Sequence, residues 1–255
     1  MSDDLLITRT PGVVRVTFSR PERHNAFTTT MYAALHELCD QLAGDTEARV
    51  LVLSGAGGKA FAAGNEISDF LATDAVAHED WIRELLGKLA ALPQVTIAAV
   101  DGVCVGGGLA VATHCDLRVA TAHSRFGYPI AKTLGNALAA PIVYRCASVF
   151  GEPVTREMLL AARLIGAERA HGVGALAAVC ADRAGLEVEV EDLVSSVMSL
   201  SRTTIGATKG QLAAYRARTE SAPDGDDDLL REVYTGSDFA EGVRAFLAKE
   251  PPAFG

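Results

Sequence analysis

Basic residues are too few in this sequence to bind a polyanion. Lys and Arg number 23 against 32 Asp and Glu, which leaves a net charge of -9. An acidic surface repels a phosphate backbone, so the composition excludes nucleic acid as the main ligand. It does not exclude a phosphorylated small molecule, because a few local cations and helix N-termini can bind one.

Long apolar runs and cysteine pairs are also missing. Every longer apolar stretch is interrupted by Gly, His or a charge, and the first ten residues are acidic, so we expect neither a signal peptide nor a membrane segment. The cysteines form no CxxC pair, and their odd number would leave one unpaired, so we expect reduced thiols in a cytoplasmic protein. They are Cys39, Cys104, Cys115, Cys146 and Cys180.

Short β-branched runs alternate with amphipathic stretches through the first half of the chain, a pattern typical of a layered α/β domain. The predicted strands are 13–19, 49–55, 96–102 and 116–121, and the predicted helices are 28–42 and 79–92.

Beyond residue 150 the pattern becomes mainly helical. Helices are predicted at 152–164, 185–200 and 239–250, and the acidic run SAPDGDDDLL (221–230) predicts a solvated turn and a helix start rather than a binding patch. We expect a core of residues 1–195 followed by a helical region of residues 196–255.

A glycine-rich loop, GVCVGGGLAVATHCD (102–116), follows a predicted strand and opens an apolar helix. Gly106, Gly107 and Gly108 leave N–H groups accessible at the positive end of that helix, which suits a developing oxyanion. The spacing is not GxGxxG and no P-loop Lys-Ser or Lys-Thr follows, so nucleotide binding is disfavoured. A tight turn used only for packing remains the alternative.

The segment GGKAFAAGNEISDF (57–70) has the same arrangement, a small-residue turn between a strand and a helix that starts near Asn65. Two such turns can face one another. We therefore predict that the backbone N–H groups of Asn65 and Gly107 together form an oxyanion hole. Glu66 and Ser68 fall in the first helical turn, where acidic and capping side chains are favoured.

Three blocks of the sequence resemble the enoyl-CoA hydratase/isomerase family, the crotonase superfamily. RPERHNAF (20–27) is similar to its first coenzyme A segment, KAFAAGNEI (59–67) to its KAFxAGxDI segment, and IAAVDGVCVGGGLAVATHCDLRVAT (97–121) to its longest motif. The closing segment FAEGVRAFLAKEPPAF (239–254) also agrees, so the resemblance covers nearly the whole chain.

The resemblance implies an α/β fold, a crotonase-like spiral of repeated ββα units with a C-terminal helical trimerisation region, and hence a homotrimer or homohexamer. It implies an acyl-CoA substrate whose thioester oxygen is held by the N–H groups of Asn65 and Gly107. Coenzyme A is then part of the substrate, and no metal or redox cofactor is implied. The implied substrate contacts are Arg23, Ala26, Ala63, Glu66, Ile67 and Gly106.

Both catalytic glutamates of the family's hydratases are replaced in this sequence. The first position is Ala110 and the second is Ile130. Neither side chain carries a proton, and losing a general acid or base typically costs ~10²–10⁴ in rate per group. Hydration by the family's usual mechanism is therefore disfavoured, as is an isomerase step that uses the second position.

Another group must then transfer protons, and by sequence proximity we take Glu66 and Asp69 as the candidates. Glu66 could equally cap the helix, and Asp69 could point away from the cleft. The further candidates, each of which has a structural alternative, are His114, Asp116, Tyr128, Lys132 and Asn136. Lys132 and Asn136 lie in a segment, AKTLGNALAAP, that departs from the family's pattern. Two hypotheses follow: an acyl-CoA lyase, isomerase, decarboxylase or thioester hydrolase, or a coenzyme A thioester-binding protein or subunit without turnover.

Overall fold

The computed structural model describes residues 4–67, 75–220 and 226–255. Its strands form a six-stranded sheet in the order β1-β2-β3-β5-β7-β10 and a four-stranded sheet in the order β4-β6-β8-β9. The strands are β1 Leu5–Thr10, β2 Val13–Phe18, β3 Val50–Gly55, β4 Ala60–Ala62, β5 Val95–Val100, β6 Val103–Val105, β7 Leu117–Thr121, β8 Arg125–Gly127, β9 Ile165–Gly166 and β10 Ala178–Cys180.

Helices follow the strands and make up most of the C-terminal part. They are α1 Thr29–Ala43, α2 Ala75–Ala91, α3 Gly107–His114, α4 Ile130–Thr133, α5 Ala140–Phe150, α6 Glu152–Leu160, α7 Ala167–Gly172, α8 Arg183–Ser199, α9 Arg202–Thr219, α10 Asp226–Thr235 and α11 Ser237–Ala248. No helix within the described ranges is both long and apolar enough to cross a membrane.

The chain repeats a ββα unit. The strands β3, β5 and β7 each enter the larger sheet, and the next strand, β4, β6 or β8, enters the smaller one before the chain turns into a helix. The large-sheet strands of these units are parallel, as are the small-sheet ones. Successive units therefore stack in the same sense, and the predicted crotonase-like spiral is confirmed.

Both faces of the larger sheet are covered, which explains why its central strands are almost continuously apolar. Alternate residues of a strand point to opposite faces. Leu51 and Leu53 of β3 belong to the main core, whereas Val50 and Val52 face a second core. That second core is closed by α8, whose buried residues recur at helical spacing as Leu186, Val190, Val194 and Val197.

Three of the four predicted strands lie within one residue of the observed ones, and both predicted helices of the first half are present. The strand predicted at 96–102 ends two residues earlier, at Val100. The helix predicted at 152–164 also ends earlier, at Leu160, because Ala162 adopts a left-handed conformation with φ 50°. Within the acidic run, α10 begins at Asp226. The predicted division after residue 195 falls inside α8 and stays a prediction.

Candidate active site

The loop that contains Gly64 and Asn65 is fixed by its pairing with the segment that precedes α1. Phe27 donates its N–H to the Gly64 carbonyl at 2.8 Å and accepts the Glu66 N–H at 2.7 Å. This is a parallel bridge between Phe27 and Asn65. In such a bridge the central residue turns its own N–H away from the partner. The Asn65 N–H therefore points to the other side of the loop.

The second loop carries β6 into α3 and needs glycine for two reasons. Gly106 has φ 54°, a conformation that side chains disfavour. A Cβ on Gly108 would lie 2.3 Å from the Ala62 carbonyl oxygen, so only glycine lets α3 pack this closely on β4. Gly107 is the first residue of α3, and its N–H has no partner within the helix.

The two loops meet at Asn65 and Gly107. A Cβ on Gly107 would lie 2.4 Å from Asn65 Oδ1 and 2.5 Å from the Tyr32 hydroxyl. Tyr32 donates its hydroxyl hydrogen to Asn65 Oδ1 at 2.6 Å and so holds the Asn65 side chain in place. In the part of the chain that the structure describes, neither N–H has a hydrogen-bond acceptor.

A cavity of about 680 Å³ opens at this meeting point. Its other walls come from α2, α4, α5 and α11, including Ile82, Ile142 and Phe239. The sequence-predicted residues that line it are Arg23, Ala26, Ala63, Asn65, Glu66, Ile67, Gly106, Gly107, Ala110, Ile130 and Asn136. Their roles stay predictions, but the fold brings them to one space.

Four of the other candidates lie away from this cavity. The ring of His114 contacts the Ala110 carbonyl at 2.7 Å, and burial lowers the pKa of His114 to about 3, so the ring is neutral. Asp116 accepts from the N–H and hydroxyl of Thr96. Tyr128 is fully buried and Lys132 is exposed. Asp69 lies outside the described residues.

Glu66 is held as a carboxylate by two arginines. Its oxygens lie 3.1 Å from Arg20 and 2.8 Å from Arg23. The hydrogen bond from Arg23 is the main reason that the pKa of Glu66 is lowered, and Arg20 adds to it. A carboxylate stabilised in this way is a weak base, so the geometry disfavours the acid/base role predicted for Glu66 and favours a structural one.

Sequence reasoning missed Glu79, which lines the same cavity from α2. Glu79 is only 4% exposed, and burial raises its pKa to about 7. Its one signal in the sequence is position: Glu79 stands three residues before Ile82 and seven before Leu86, both buried, and so lies on the apolar face of α2.

Known proteins resemble this chain over nearly its full length. The profile of the enoyl-CoA hydratase/isomerase family matches residues 8–255. The probable enoyl-CoA hydratase echA6 of Mycobacterium tuberculosis (strain CDC 1551 / Oshkosh) is 32% identical over 249 residues, which cover 97% of this chain and 98% of the relative. The 1,2-epoxyphenylacetyl-CoA isomerase of Escherichia coli (strain K12) is 30% identical, with 95% of each chain covered.

A solved structure agrees with these sequence matches. The crystal structure of an enoyl-CoA hydratase/carnithine racemase from Magnetospirillum magneticum superposes with a TM-score of 0.80 at 30% identity, covering 100% of this chain and 96% of that one. The two glycine loops, the repeated ββα units and these matches agree, and the chain belongs to the enoyl-CoA hydratase/isomerase family.

Proposed function

We propose that this chain is an acyl-CoA enzyme that polarises a thioester carbonyl with the backbone N–H groups of Asn65 and Gly107. The observation that carries the proposal is the contact of the two loops at Asn65 and Gly107, whose N–H groups have no acceptors in the described structure, beside a cavity of about 680 Å³. Aimed at a developing enolate oxygen, one such donor is worth ~2.7–4 kcal/mol.

The mouth of the cavity suits the remainder of a coenzyme A thioester. Arg23 and Lys249 line the cavity with exposed side chains, which can bind phosphate groups. Beyond the loops, Ile82, Ile142 and Val243 supply an apolar wall for an acyl chain. Arg23, Ala26, Ala63, Glu66, Ile67 and Gly106 are the proposed substrate contacts.

The proposed chemistry is enolate formation rather than the family's two-glutamate hydration. Ala110 and Ile130 line the cavity, so the positions at which the family's hydratases carry glutamates offer no proton-transfer group. The same two residues motivate the second candidate, a coenzyme A thioester-binding protein or subunit without turnover. Cytoplasmic location and a homotrimeric or homohexameric assembly remain parts of the proposal.

The carbonyl-binding role can be tested by equilibrium binding of two probes. Hexanoyl-CoA has a thioester carbonyl, whereas S-hexyl-CoA, a thioether, has none. Two net hydrogen bonds of ~0.5–1.5 kcal/mol each predict that hexanoyl-CoA binds roughly 5- to 150-fold more tightly. Failure to bind either probe overturns the proposal of an acyl-CoA site, and equal affinities overturn the carbonyl-binding role.

A matched pair of glycine variants locates the effect. Gly107→Ala places a methyl group 2.4 Å from Asn65 Oδ1, so the loops must move and the preference for hexanoyl-CoA should disappear. Gly87→Ala in α2 meets no atom within 4 Å and should leave the preference unchanged. A loss of preference in both variants would place its origin outside the two loops.

A further inference from the structure

The part of the cavity lining that comes from α2 and from the segment before α5 belongs to a small polar cluster. Tyr234 of α10 lies with its hydroxyl 2.8 Å from Glu79 Oε1 and 3.0 Å from the Ala137 carbonyl oxygen. Glu79 and Asn136 line the cavity, and Tyr234 is 8% exposed. Apart from these groups, the surrounding wall is largely formed by aliphatic and aromatic side chains such as Ile82, Leu138 and Phe239.

The two short contacts of the Tyr234 hydroxyl are compatible with two protonation states of Glu79. A tyrosine hydroxyl has one hydrogen to donate, and the Ala137 carbonyl can only accept. When Tyr234 donates to Ala137, Glu79 must be the donor in its own contact with Tyr234 and is therefore protonated. When Tyr234 donates to Glu79 instead, the carboxyl group can be ionised. Rotation of one hydroxyl thus accommodates both forms of Glu79.

The charges around Glu79 leave it free to change its protonation state. Asp80 and Asp226 raise its pKa, and Arg83 lowers it, but Arg83 forms its ion pairs with Asp80, Asp226 and Asp227. No cation within the described ranges forms an ion pair with Glu79. Burial is the largest effect, and the resulting pKa of about 7 suits both gain and loss of a proton near neutrality.

Residues beside Glu79 in α2 are connected through Tyr32 to the loop that contains Asn65. The rings of His78 and Trp81, on either side of Glu79 in α2, lie 6.4 and 6.0 Å from the Tyr32 ring. Tyr32 in turn contacts Asn65, and the charge of Glu79 contributes to the raised pKa of Tyr32. Glu79 Oε2 has no hydrogen-bond donor among the described residues, so one oxygen is available to a ligand.

We propose that Glu79 is the catalytic residue that removes and returns a proton when the enzyme shifts a carbon–carbon double bond of an enoyl-CoA thioester, with Tyr234 as its positioning residue. This inference rests on the proposed carbonyl-binding function. It assigns the missing acid/base to α2, whereas the family's hydratases use the positions occupied here by Ala110 and Ile130.

The step balances without any co-reactant. The α C–H bond of a 3-enoyl thioester breaks, its proton passes to Glu79 Oε2, and the electron pair enters a dienolate whose oxygen is held by the Asn65 and Gly107 N–H groups. Glu79 then returns the proton to the γ carbon, the electron pair of the dienolate forms that C–H bond, and the conjugated 2-enoyl thioester results. One group with a pKa near neutrality serves both halves of the reaction.

The test uses the full-length protein with trans-3-hexenoyl-CoA in D₂O. Isomerisation is followed by the ultraviolet absorbance of the conjugated product, and deuterium incorporation by mass spectrometry. Glu79→Gln should lower both rates by ~10²–10⁴ while binding of hexanoyl-CoA is retained. Glu84→Gln is the matched control, because Glu84 lies on the exposed side of the same helix in an ion pair with Lys88.

Tyr234→Phe separates positioning from packing. In the wild type the hydrogen bond from Tyr234 lowers the pKa of Glu79. Loss of that bond in the variant should therefore move the midpoint of the pH–rate profile upwards. If Tyr234 only filled space, the midpoint would not move. Hexanoyl-CoA binding together with undiminished isomerisation in Glu79→Gln would overturn the assignment of Glu79 and leave the proposed function standing. Binding without isomerisation or exchange in the wild type would also overturn it. Absence of binding would overturn the proposed function as well.

Discussion

Glu66 and Glu79 line the same cavity and are almost equally buried, at 9% and 4% exposed, yet their proton affinities shift in opposite directions. Two arginines lower the pKa of Glu66, whereas burial without an ion-pair partner in the described structure raises that of Glu79 to about 7. A small exposed area alone therefore does not determine a carboxyl group's state. Deeper burial and the lack of an ion-pair partner in the described structure together raise the pKa of Glu79, which makes it the better suited of these two glutamates to exchange protons.

The largest expected effect is a gain of hydratase activity when two further glutamates are introduced into the cavity. Ala110→Glu combined with Ile130→Glu places carboxyl groups at the two positions that the family resemblance assigns to the hydratase glutamates. Because each such group contributes ~10²–10⁴ in rate, hydration of trans-2-hexenoyl-CoA should rise by at least ~10². The two single variants serve as controls and should gain much less. No gain in the double variant would mean that these positions do not match those of the hydratases.

Removing the two arginines beside Glu66 should raise the pKa of Glu66 towards that of Glu79. Arg20→Met with Arg23→Met leaves the carboxylate of Glu66 without its cations, so the free energy of unfolding at pH 7 should fall, and by more than in a variant that breaks an exposed ion pair. Glu66 has a lowered pKa in the wild type, so its ion pairs stabilise the fold above the ordinary pKa of 4.5 and lose that effect as the pH falls.

Chemical denaturation at several pH values measures the difference in the free energy of unfolding between the wild type and the double variant. This difference should shrink on acidification. Arg9→Met, which breaks the more exposed pair with Asp45, is the control and should cost less than about 1 kcal/mol. A deficit that does not change with pH would assign the loss to packing of the arginine side chains.

Glu79→Gln should affect stability with the opposite pH dependence. The folded-state pKa of Glu79 is raised, so its stabilising contribution is complete below 4.5 and is lost as the pH rises through about 7. Glutamine does not titrate. As the pH rises from 4 to 9, the free energy of unfolding of the variant should therefore increase by up to about 3 kcal/mol relative to that of the wild type. Denaturation midpoints across that range test this, and parallel pH profiles would contradict the raised pKa.

The smallest effect is expected from a substitution at a half-exposed residue, which changes only the electrostatic field at Glu79. Asp80 is half exposed and its charge raises the pKa of Glu79. Asp80→Asn should therefore lower the titration midpoint of Glu79 by a few tenths of a pH unit at low salt, and screening should reduce the shift at high salt. Nuclear magnetic resonance of the labelled glutamate carboxyl group measures it, and an upward shift would contradict the sign.

The sequence predicted what depends on local pattern. The apolar runs of β3 and β5 and the glycine loops before Asn65 and Gly107 were visible, because sheet burial and close backbone approach restrict the residue types at those positions. The helix α9 was not predicted. It buries none of its residues and therefore carries no apolar periodicity that would reveal it.

The contacts that give the site its chemistry were not visible in the sequence. Glu79 and Tyr234 are 155 positions apart, and Tyr32 reaches Asn65 across 33. No local pattern states that α2 and α10 meet at the cavity. Proximity in sequence pointed instead to Glu66, whose two arginines come from a separate segment and change its proton affinity.

The origin of the cavity walls has a consequence for how this enzyme can diverge. The loops proposed to bind the carbonyl come from residues 63–67 and 105–110, whereas Phe239, Val243 and Phe246 belong to the final helix. Close backbone approach at Gly107 and Gly108 leaves these loops little room for substitution. The final helix contributes only side chains, so under the proposed function ordinary substitutions there can alter which acyl group is accepted while the chemistry at the thioester is inherited unchanged.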